Sequence, residues 1–484
     1  MIKLNKSTYM DKLHACWLGK NIGGTLGAPY EGSHEFLDVQ GFRSKSGEPL
    51  PNDDLDLQLV WLSAMERVGP ARLDTNALAN YWLEWLSPYW NEYGTCKTNL
   101  RLGLLPPMSG EVDNERWRTS NGAWIRSELW AALAPGLTDV AIKYAVADGM
   151  VDHGLSEGTQ AEVFTATLQS LAYVESDIRK LLEAALAKIP ENGMVSQTVR
   201  LVMECYDNGV NYKEARERVL KFNEALGWFQ APGNLGFVTI GLLYGEGDFK
   251  KSMLCAVNCG DDTDCTAATV GATLGIIGGT SAIPEDLKQF VGDRIVTISI
   301  SAMHQHRAPK TCTELTNRVA ALLPRVMADN KIKFELTDEK TDYPTELAKK
   351  YNGEGSEKYF AYSPYSYNVT HYSAFNVRVE LDNTPRVSPG DVRHVKLSIH
   401  AHPDLRESHK FQTRLILPDG WKASHYPRTV HLLYPQAIHN LYGDASLEFD
   451  VTAGDNIDVV NRAYMEITSP NLCYPMMIPI TFIG

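Results

Sequence analysis

The chain has 484 residues, of which 44% are hydrophobic and 22% are charged, and its formal net charge at pH 7 is −13. This composition is typical of a folded globular protein of two or three domains and excludes disordered and collagen-like chains. Because no Lys/Arg-rich run offsets the acidic balance, and no stretch reaches the length of apolar sequence that spans a membrane, we expect a cytoplasmic protein with no nucleic-acid or membrane partner.

A glycine-dense segment comes first, at residues 17–32 (WLGKNIGGTLGAPYEG). Its glycines lack the spacing of a dinucleotide-binding loop, and Gly24 is not followed by the lysine of a phosphate-binding loop. They would instead allow a helix to pack closely against a neighbour, followed by a flexible loop that carries Glu31. Taken alone, a glutamate in such a place is more often a surface residue than a catalytic one.

The next segment, residues 51–66 (PNDDLDLQLVWLSAME), places Asn52 and the aspartates Asp53, Asp54 and Asp56 in front of an apolar helix. Aspartate is a favoured residue at helix starts, so one such cluster can be a simple solvated cap. Further along, helical periodicity dominates to about residue 330. In residues 176–190 (SDIRKLLEAALAKIP), for example, the apolar side chains share one face and a proline ends the pattern, which predicts a mostly α-helical domain.

A late segment, residues 258–279 (NCGDDTDCTAATVGATLGIIGG), repeats this construction with Asp262 and Asp264. Two residues apart, these side chains can converge on one point only in the loop or first turn that opens the helix. Small residues after them let that helix approach its neighbours closely. Two distant segments with paired carboxylates are what an oxygen-preferring cation site requires, so we expect Mg²⁺ or Mn²⁺ rather than zinc.

After about residue 340 the hydrophobic period changes from helical to alternating. A polar connector at residues 341–365 is followed by runs such as Phe375 to Leu381 and Val395 to Ala401, separated by Gly/Pro/Asp turns. This pattern predicts an immunoglobulin-like β-sandwich. We therefore divide the chain into a helical domain at 1–340, a linker at 341–365 and a β-sandwich at 366–484.

The segments together resemble the ADP-ribosylglycohydrolase family, which contains dinitrogenase-reductase-activating enzymes and ADP-ribosyl-arginine and ADP-ribosyl-serine hydrolases. Its members carry, in order, a G-x(3)-GD-x-x-G-x-x-x-E segment, a TDD segment and a GGDxDT segment. The counterparts here are Gly19 to Glu31, Asn52 to Asp54 and Gly260 to Cys265. SNGAWIR at 120–126 resembles the family's NGAxMR segment, and VDHG at 151–154 stands where members have a Thr/Ser-His pair. The resemblance covers residues 8–300 and implies a compact all-α fold with a binuclear Mg²⁺ site.

The resemblance also implies which residues hold the metal. Carried over by position, the metal carboxylates are Asp53, Asp54, Asp262 and Asp264. Asn52 replaces the family's threonine and still offers a carbonyl oxygen, so we count it among the ligands. Cys265 replaces a hydroxyl ligand and suits Mg²⁺ poorly. Thr266, Thr263 or a water are the alternatives for that position.

In such a site the implied chemistry is hydrolysis of the bond between ADP-ribose, or a related ribosyl or furanosyl group, and an acceptor. Two Mg²⁺ ions would hold ribose hydroxyls and polarise a water, with Asp54 and Asp262 in the catalytic centre. Glu31 would be the general acid or base. Asn121, Gly122 and His153 would bind the substrate's ribose or phosphate.

Two other functions stay open from the sequence. One is a furanosidase that acts on a non-nucleotide carbohydrate, with Trp421 and the tyrosines of the β-sandwich stacking on sugar. The other is a non-catalytic protein that binds a nucleotide or sugar, the site being altered at Asn52 and Cys265. The four retained aspartates speak against this last reading.

Overall fold

The computed structural model describes residues 1–353, 355–370, 372, 375–401, 409–432, 444–470 and 473–484. The chain forms two compact units. The first consists of Met1–Gly94 and Asn114–Phe360, and the second of Thr95–Asp113 and Ala361–Gly484. The segment Thr95–Asp113 thus belongs to the second unit although it is distant from it in sequence, and helical periodicity gives no sign of this.

The helices of the described chain include several whose first turn is capped by a side chain at the preceding residue. All the described helices are α1 Lys6–Gly27, α2 Asp53–Val68, α3 Thr75–Trp85, α4 Asn91–Leu102, α5 Met108–Glu111, α6 Glu128–Ala132, α7 Thr138–His153, α8 Glu157–Ala172, α9 Ile178–Leu186, α10 Met194–Asp207, α11 Tyr212–Phe222, α12 Ala231–Tyr244, α13 Phe249–Val257, α14 Thr263–Gly278, α15 Glu285–Val291, α16 Cys312–Asp329, α17 Thr345–Tyr351 and α18 Glu357–Phe360. At α9, for example, the Asp177 side chain accepts the Lys180 N–H at 3.2 Å. The predicted helix in 176–190 is therefore confirmed, although it ends before the proline.

The first unit is helical apart from a short parallel pair of strands, β1 Ile2–Asn5 and β2 Phe334–Thr337, among its described residues. Its core is built around α1 and α14, which are buried over most of their length. The exposed polar residues of α1 are confined to its first turns, and the rest of α1 and nearly all of α14 lie inside the unit. This confirms the predicted helical domain and places two of the three sequence segments side by side.

The C-terminal part of the second unit, from residue 366, is a β-sandwich with the predicted alternation. Its strands are β3 Ser366–Val369, β4 Phe375–Leu381, β5 Val392–Ala401, β6 His409–Ile416, β7 Lys422–Ala423, β8 Arg428–Leu432, β9 Asp444–Thr452, β10 Val460–Thr468 and β11 Met476–Ile483. They form two antiparallel sheets, in the orders β3-β4-β5-β9-β7 and β11-β10-β6-β8. Along β4 every second residue is buried, as a sheet with one covered face requires.

The core of this unit contains Trp421, which the sequence left open as a sugar-stacking residue. Its side chain is 6% exposed and packs against Phe482, with ring centroids 5.4 Å apart. Trp421 is therefore a core residue and is not placed to bind carbohydrate. Leu104, Met108 and Val112 from the Thr95–Asp113 segment lie in the same core.

Among all the described residues, every helix is too short or too polar to cross a lipid bilayer.

Candidate active site

A cleft of about 430 Å³ in the first unit brings the acidic segments together. Asp53 from the start of α2 lies on its wall with Asp262 and Asp264 from the start of α14, and Glu31 comes from the loop after α1. The two acidic helix starts therefore converge, as their shared construction predicted. The other lining residues are Ala28, Pro51, Trp90, Asn91, Glu92, Tyr93, Ser120, Asn121, Gly122, Ile125, Phe229, Cys265 and Ile298.

The start of α2 is shaped by Asn52. The Asn52 side-chain oxygen accepts the Asp54 N–H at 2.8 Å, which is an ordinary N-cap and leaves its NH₂ group buried without a hydrogen bond. Asp53 accepts the Tyr93 hydroxyl at 3.2 Å and faces the cleft. Asp56 is turned away from it, because one of its oxygens accepts the N–H groups of residues 298 and 299, both at 2.6 Å.

Asp54 lies deeper and meets the only charged residue of α1's buried middle section. The Lys20 ammonium is fully buried and is 3.3 Å from Asp54 Oδ2 and 3.1 Å from Glu128 Oε1. The other Asp54 oxygen accepts a weak hydrogen bond from the Cys265 thiol at 3.1 Å. A buried lysine of this kind is stable only because carboxylates surround it.

The start of α14 supplies the second pair of carboxylates. Asp262 and Asp264 flank the helix start, and one oxygen of each lies within 4.8 Å of a Glu31 oxygen. Asn121 donates to Asp262 Oδ2 at 2.7 Å and so fixes its orientation. The prediction that Asp262 and Asp264 lie at the helix start rather than along the helix is confirmed.

The Glu31 loop is tied to α14 by main-chain hydrogen bonds. Gly32 N–H donates to the Asp261 carbonyl at 2.8 Å, and Asp261 N–H donates to the Ser33 carbonyl at 2.7 Å. Asp261 has a left-handed backbone (φ 62°), and its carboxylate accepts the Phe229 N–H at 3.0 Å and the Asn234 NH₂ at 2.7 Å. Asp261 therefore connects the Glu31 loop to the loop at Phe229, whereas Asp262 and Asp264 line the cleft.

Burial and mutual repulsion make the carboxylates of the cleft hard to ionise in the absence of a cation. Burial, followed by the charges of Asp54 and Glu31, raises the pKa of Asp262 to about 8. Burial and the neighbouring Asp262 raise the pKa of Asp264 well above its usual range. Desolvation and Asp53 also raise the pKa of Glu31. Groups that repel one another in this way gain most from a shared divalent cation.

The donor set fits such a cation. Asp264 Oδ1 is a buried oxygen without a hydrogen-bond partner, whereas Asp54 Oδ2, which also lacks a hydrogen bond, faces the Lys20 ammonium at 3.3 Å. Two overlapping groups of possible ligands are present, Asp54 with Asp264 and Cys265, and Glu31 with Asp262 and Asp264. Nearly all the ligand atoms are carboxylate oxygens, the donors that hard cations prefer. The acidic residues of the cleft could therefore hold a metal ion.

The two hydroxyl groups considered as substitutes for Cys265 each donate a hydrogen bond to a main-chain carbonyl. Thr263 Oγ1 donates to the Gly27 carbonyl at 2.9 Å, and Thr266 Oγ1 donates to the Thr263 carbonyl at 3.2 Å. Burial and the surrounding aspartates raise the pKa of the Cys265 thiol, which keeps it protonated. Since a hydroxyl oxygen that donates its hydrogen keeps its lone pairs, Thr263, Thr266 and a water all stay open for that ligand position.

Arg126 supports the wall that carries Asn121 and Gly122. The guanidinium is fully buried, donates to the Gly122 carbonyl at 2.6 Å and pairs with Asp148 and Asp152 of α7. The arginine of the SNGAWIR segment therefore holds the main chain of the Asn121-Gly122 pair in place. Both residues line the cleft, but the Asn121 side chain is occupied by Asp262 and Trp124.

His153 is fully buried behind this wall. Its Nε2 is 3.1 Å from the Ser120 hydroxyl, and its Nδ1 is 3.1 Å from Asp152 Oδ1. Ser120 lines the cleft, whereas His153 itself does not reach the described lining. A direct contact of His153 with substrate stays a prediction. In this structure His153 is connected to the cleft by its hydrogen bond with Ser120.

Sequence reasoning missed several residues in the cleft and behind it. Lys20 had a usable signal, since a lone charge within an apolar, glycine-rich helix must find a buried partner. Glu92 and its aromatic neighbours Trp90 and Tyr93 had none, because nothing in the sequence PYWNEYGT distinguishes it from a surface loop. Phe229 likewise depends on the loop that Asp261 holds.

Comparison with known proteins bears on this geometry. A family model described as ADP-ribosylglycohydrolase matches residues 5–318. The chain belongs to the ADP-ribosylglycohydrolase family. Among solved structures, it is similar to an "ADP-ribosylglycohydrolase-related protein complex", with 19% identity, coverage of 66% of this chain and 100% of that chain, and a TM-score of 0.45. A FixG-related protein from Vibrio parahaemolyticus matches 23% of this chain and 98% of its own, with 9% identity and a TM-score of 0.19. No curated protein matches.

Membership of the ADP-ribosylglycohydrolase family confirms the resemblance found in the sequence. The family is hydrolytic and acts on ADP-ribosyl-type substrates, so the chain is a glycosyl-hydrolase-type enzyme, as predicted. The family match ends at residue 318 and leaves the β-sandwich outside it.

Proposed function

We propose that the protein is a Mg²⁺-dependent hydrolase that cleaves the glycosidic bond between an ADP-ribosyl, or related ribosyl or furanosyl, group and its acceptor. The observation that carries this proposal is the convergence of Glu31, Asp262 and Asp264 within 4.8 Å in one cleft. The cation would be held by Asp53, Asp54, Asp262 and Asp264, with Asn52 as a further ligand, and two ions are expected. Mn²⁺ is the alternative cation.

When bound, Mg²⁺ would supply a template for sugar hydroxyls and a Lewis acid. Glu31 stands at the exposed rim, next to both aspartates of α14, where it can take a proton from an attacking water. The bond between the sugar C1 and the acceptor breaks, a C1–O bond to water forms, and the acceptor leaves with a proton. The carboxylates around C1 favour the oxocarbenium-like transition state because it carries positive charge.

Two variants test this function. Glu31→Gln should slow hydrolysis by about 10² to 10⁴-fold, the contribution of a positioned acid or base, while Mg²⁺ binding is kept. Asp262→Asn should weaken Mg²⁺ binding and lower turnover as well. Rates should be measured on ADP-ribosylated arginine and serine peptides and on simple furanosides. Full activity of the Asp262 variant would refute the mechanism.

Metal binding is tested separately by thermal unfolding. Mg²⁺ at 100 times its dissociation constant should stabilise the folded protein by about 2.7 kcal/mol and raise the melting temperature accordingly. Asp264→Asn should largely abolish this shift, because Asp264 is common to both groups of possible ligands. An unchanged melting temperature of the wild-type protein with both Mg²⁺ and Mn²⁺ would contradict the metal site.

A further inference from the structure

Each acidic helix start contains one aspartate that the proposed metal site does not use. These are Asp56, in the first turn of α2, and Asp261, which directly precedes the start of α14. Both are buried, and neither is among the described residues that line the cleft. Each of them instead accepts hydrogen bonds from the main chain of a distant loop, and each of these loops supplies an apolar residue to the cleft wall.

Asp261 holds the loop that contains Phe229. Its carboxylate accepts the Phe229 N–H at 3.0 Å and the side-chain NH₂ of Asn234 at 2.7 Å. Asn234 Oδ1 in turn is 3.4 Å from the Asp262 nitrogen, whose N–H it accepts. The position of Phe229 is therefore coupled by hydrogen bonds to the helix start that carries a proposed metal carboxylate.

The ring of Phe229 lies beside the loop that carries Glu31. A Cβ atom built on Gly32 would be 3.8 Å from Phe229 Cζ. The preceding residue, Trp228, stacks on His34 of the same loop, with ring centroids 3.9 Å apart and an interplanar angle of 3°. Phe229 is thus fixed next to the residue that acts on the glycosidic bond in the proposed function.

Asp56 holds a second apolar residue in the same way. One of its oxygens accepts the N–H groups of Ile298 and Ser299, both at 2.6 Å. Ile298 lines the cleft and is 51% exposed, and Trp90, another lining residue, is 47% exposed. Apolar side chains on a main chain that buried carboxylates fix in place form a preorganised binding wall, which loses little entropy when a ligand contacts it.

The depth of the cleft separates the two ends of the substrate. Asp262 and Asp264 are buried, so the cation and the sugar hydroxyls that it holds belong at the bottom of the cleft. Glu31 is exposed at the rim, where the bond between sugar and acceptor would lie. Because Phe229 stands beside the Glu31 loop, it meets the acceptor end of the substrate.

We propose that Phe229 and Ile298 form an apolar acceptor subsite, which selects acceptors with an aromatic or aliphatic group next to the glycosidic bond. In this subsite Phe229 is a specificity-determining residue and Asp261 is its positioning residue. The inference rests on the proposed glycoside hydrolysis and adds the class of acceptor to it. An aromatic ring and an aliphatic side chain stabilise such an acceptor by removing its apolar surface from water.

The benzyl and methyl O-glycosides of ADP-ribose test the subsite, because their leaving alcohols have similar acidity and differ in apolar surface. With Mg²⁺, the full-length protein should hydrolyse the benzyl glycoside with a kcat/KM about 10 to 100-fold higher than the methyl glycoside. Phe229→Ala should reduce this preference by about 10-fold. Phe222→Ala is the matched control, since Phe222 is an exposed phenylalanine of α11 outside the described lining, and it should leave the preference unchanged.

The positioning role of Asp261 is tested by exchanging its carboxylate with the amide of its partner. Asp261→Asn should lower the preference for the benzyl glycoside, because two side-chain amides then compete for one geometry. The double variant with Asp261→Asn and Asn234→Asp restores an acceptor opposite a donor and should recover the preference. A purely structural role would change stability and leave the ratio of the two substrates as it is, and that result would overturn the assignment of Asp261.

Binding to the Glu31→Gln protein separates failure of the subsite from failure of the proposed function. Calorimetry with Mg²⁺ should show a Kd for the benzyl glycoside about 10-fold lower than for the methyl glycoside. Preferred binding of the benzyl glycoside, with no hydrolysis of either one by the wild type, would refute the proposed function and keep the subsite. Equal kcat/KM for the two would overturn the subsite and leave glycoside hydrolysis standing, and no binding or hydrolysis of either would overturn both.

Discussion

Single buried ionic groups determine the shape of the active-site wall. Arg126 makes hydrogen bonds to Asp148, Asp152 and a main-chain carbonyl, so it joins the loop at 120–126 to helix α7. Breaking a buried pair by removing one partner is costly because the other charge is left uncompensated. Residues that never touch the substrate therefore decide where Asn121 and Gly122 stand.

The ion pair between Asp152 and Arg126 makes the stability of the protein depend on pH. Burial alone would raise the pKa of Asp152, but Arg126 and His153 hold the pKa at about 2, below its ordinary value of 3.8. The stability that Asp152 contributes is therefore present above about pH 4 and is lost as the pH falls toward 2. Asp152→Asn should destabilise the protein by about 3 kcal/mol at pH 7 and remove this part of the acid dependence.

Urea unfolding at pH 7, 4 and 3 measures both effects. The control is Asp207→Asn, which removes an exposed partner of Arg179 and should change stability little, since surface ion pairs contribute little. An Asp152 variant with wild-type stability at pH 7 would show that Asp148 alone suffices to hold Arg126.

At the scale of elements, the contact between α1 and α14 positions the acidic groups. Gly19, Gly23 and Gly27 occur at every fourth position of α1 and lie directly on the backbone of α14, where a Cβ would collide with main-chain atoms. The predicted close packing of a glycine-rich helix is confirmed, and it has a consequence for the active site. It brings the loop after α1, with Glu31, next to the start of α14.

We expect Gly23→Ala to destabilise the protein by about 1 to 3 kcal/mol, because its methyl group must displace the main chain at Ala267. Mg²⁺ affinity should fall as well, since the start of α14 moves with it. Gly233→Ala in α12 is the matched control. A Cβ there meets nothing within 4 Å, and alanine in a helix should stabilise by up to about 1 kcal/mol. Equal effects in denaturation and metal titration would contradict the packing argument.

At the scale of the whole molecule, the two units have separate cores. One segment, Thr95–Asp113, belongs to the second unit although in the sequence it lies between the two parts of the first. Leu104, Met108 and Val112 belong to this segment, and their side chains lie in the core of the β-sandwich unit. Deleting the β strands would therefore leave these three side chains without their apolar neighbours. Exposed apolar groups of this kind promote association.

We expect residues 1–360 to fold alone, because the helical unit buries its own core, but to bind hydrophobic dyes and to aggregate through residues 104–112. Replacing Leu104 and Met108 by Ser should make this fragment more soluble. In the full chain the same two changes should destabilise the sandwich, because they place hydroxyls in its core. Circular dichroism and light scattering measure both outcomes, and a fragment without cooperative melting would contradict independent folding.

Much of the fold was determined by the sequence alone. The 3.6-residue and two-residue hydrophobic periods identified the helical domain and the sandwich, because burial of apolar faces obeys local geometry. The two acidic helix starts could be paired as one site, since a cation needs more oxygens than one turn supplies. Glu31 was proposed through the family resemblance, and the structure places it beside Asp262 and Asp264.

Only the tertiary structure decided the rest. Local periodicity cannot reveal that Lys20 pairs with Asp54 and Glu128, or that residues 95–113 belong to the sandwich, because both depend on contacts between distant segments. Glu92 follows the same rule. Its place in the cleft arises from α4, Gly122 and Ser120 meeting in space, and no spacing along the chain encodes that meeting.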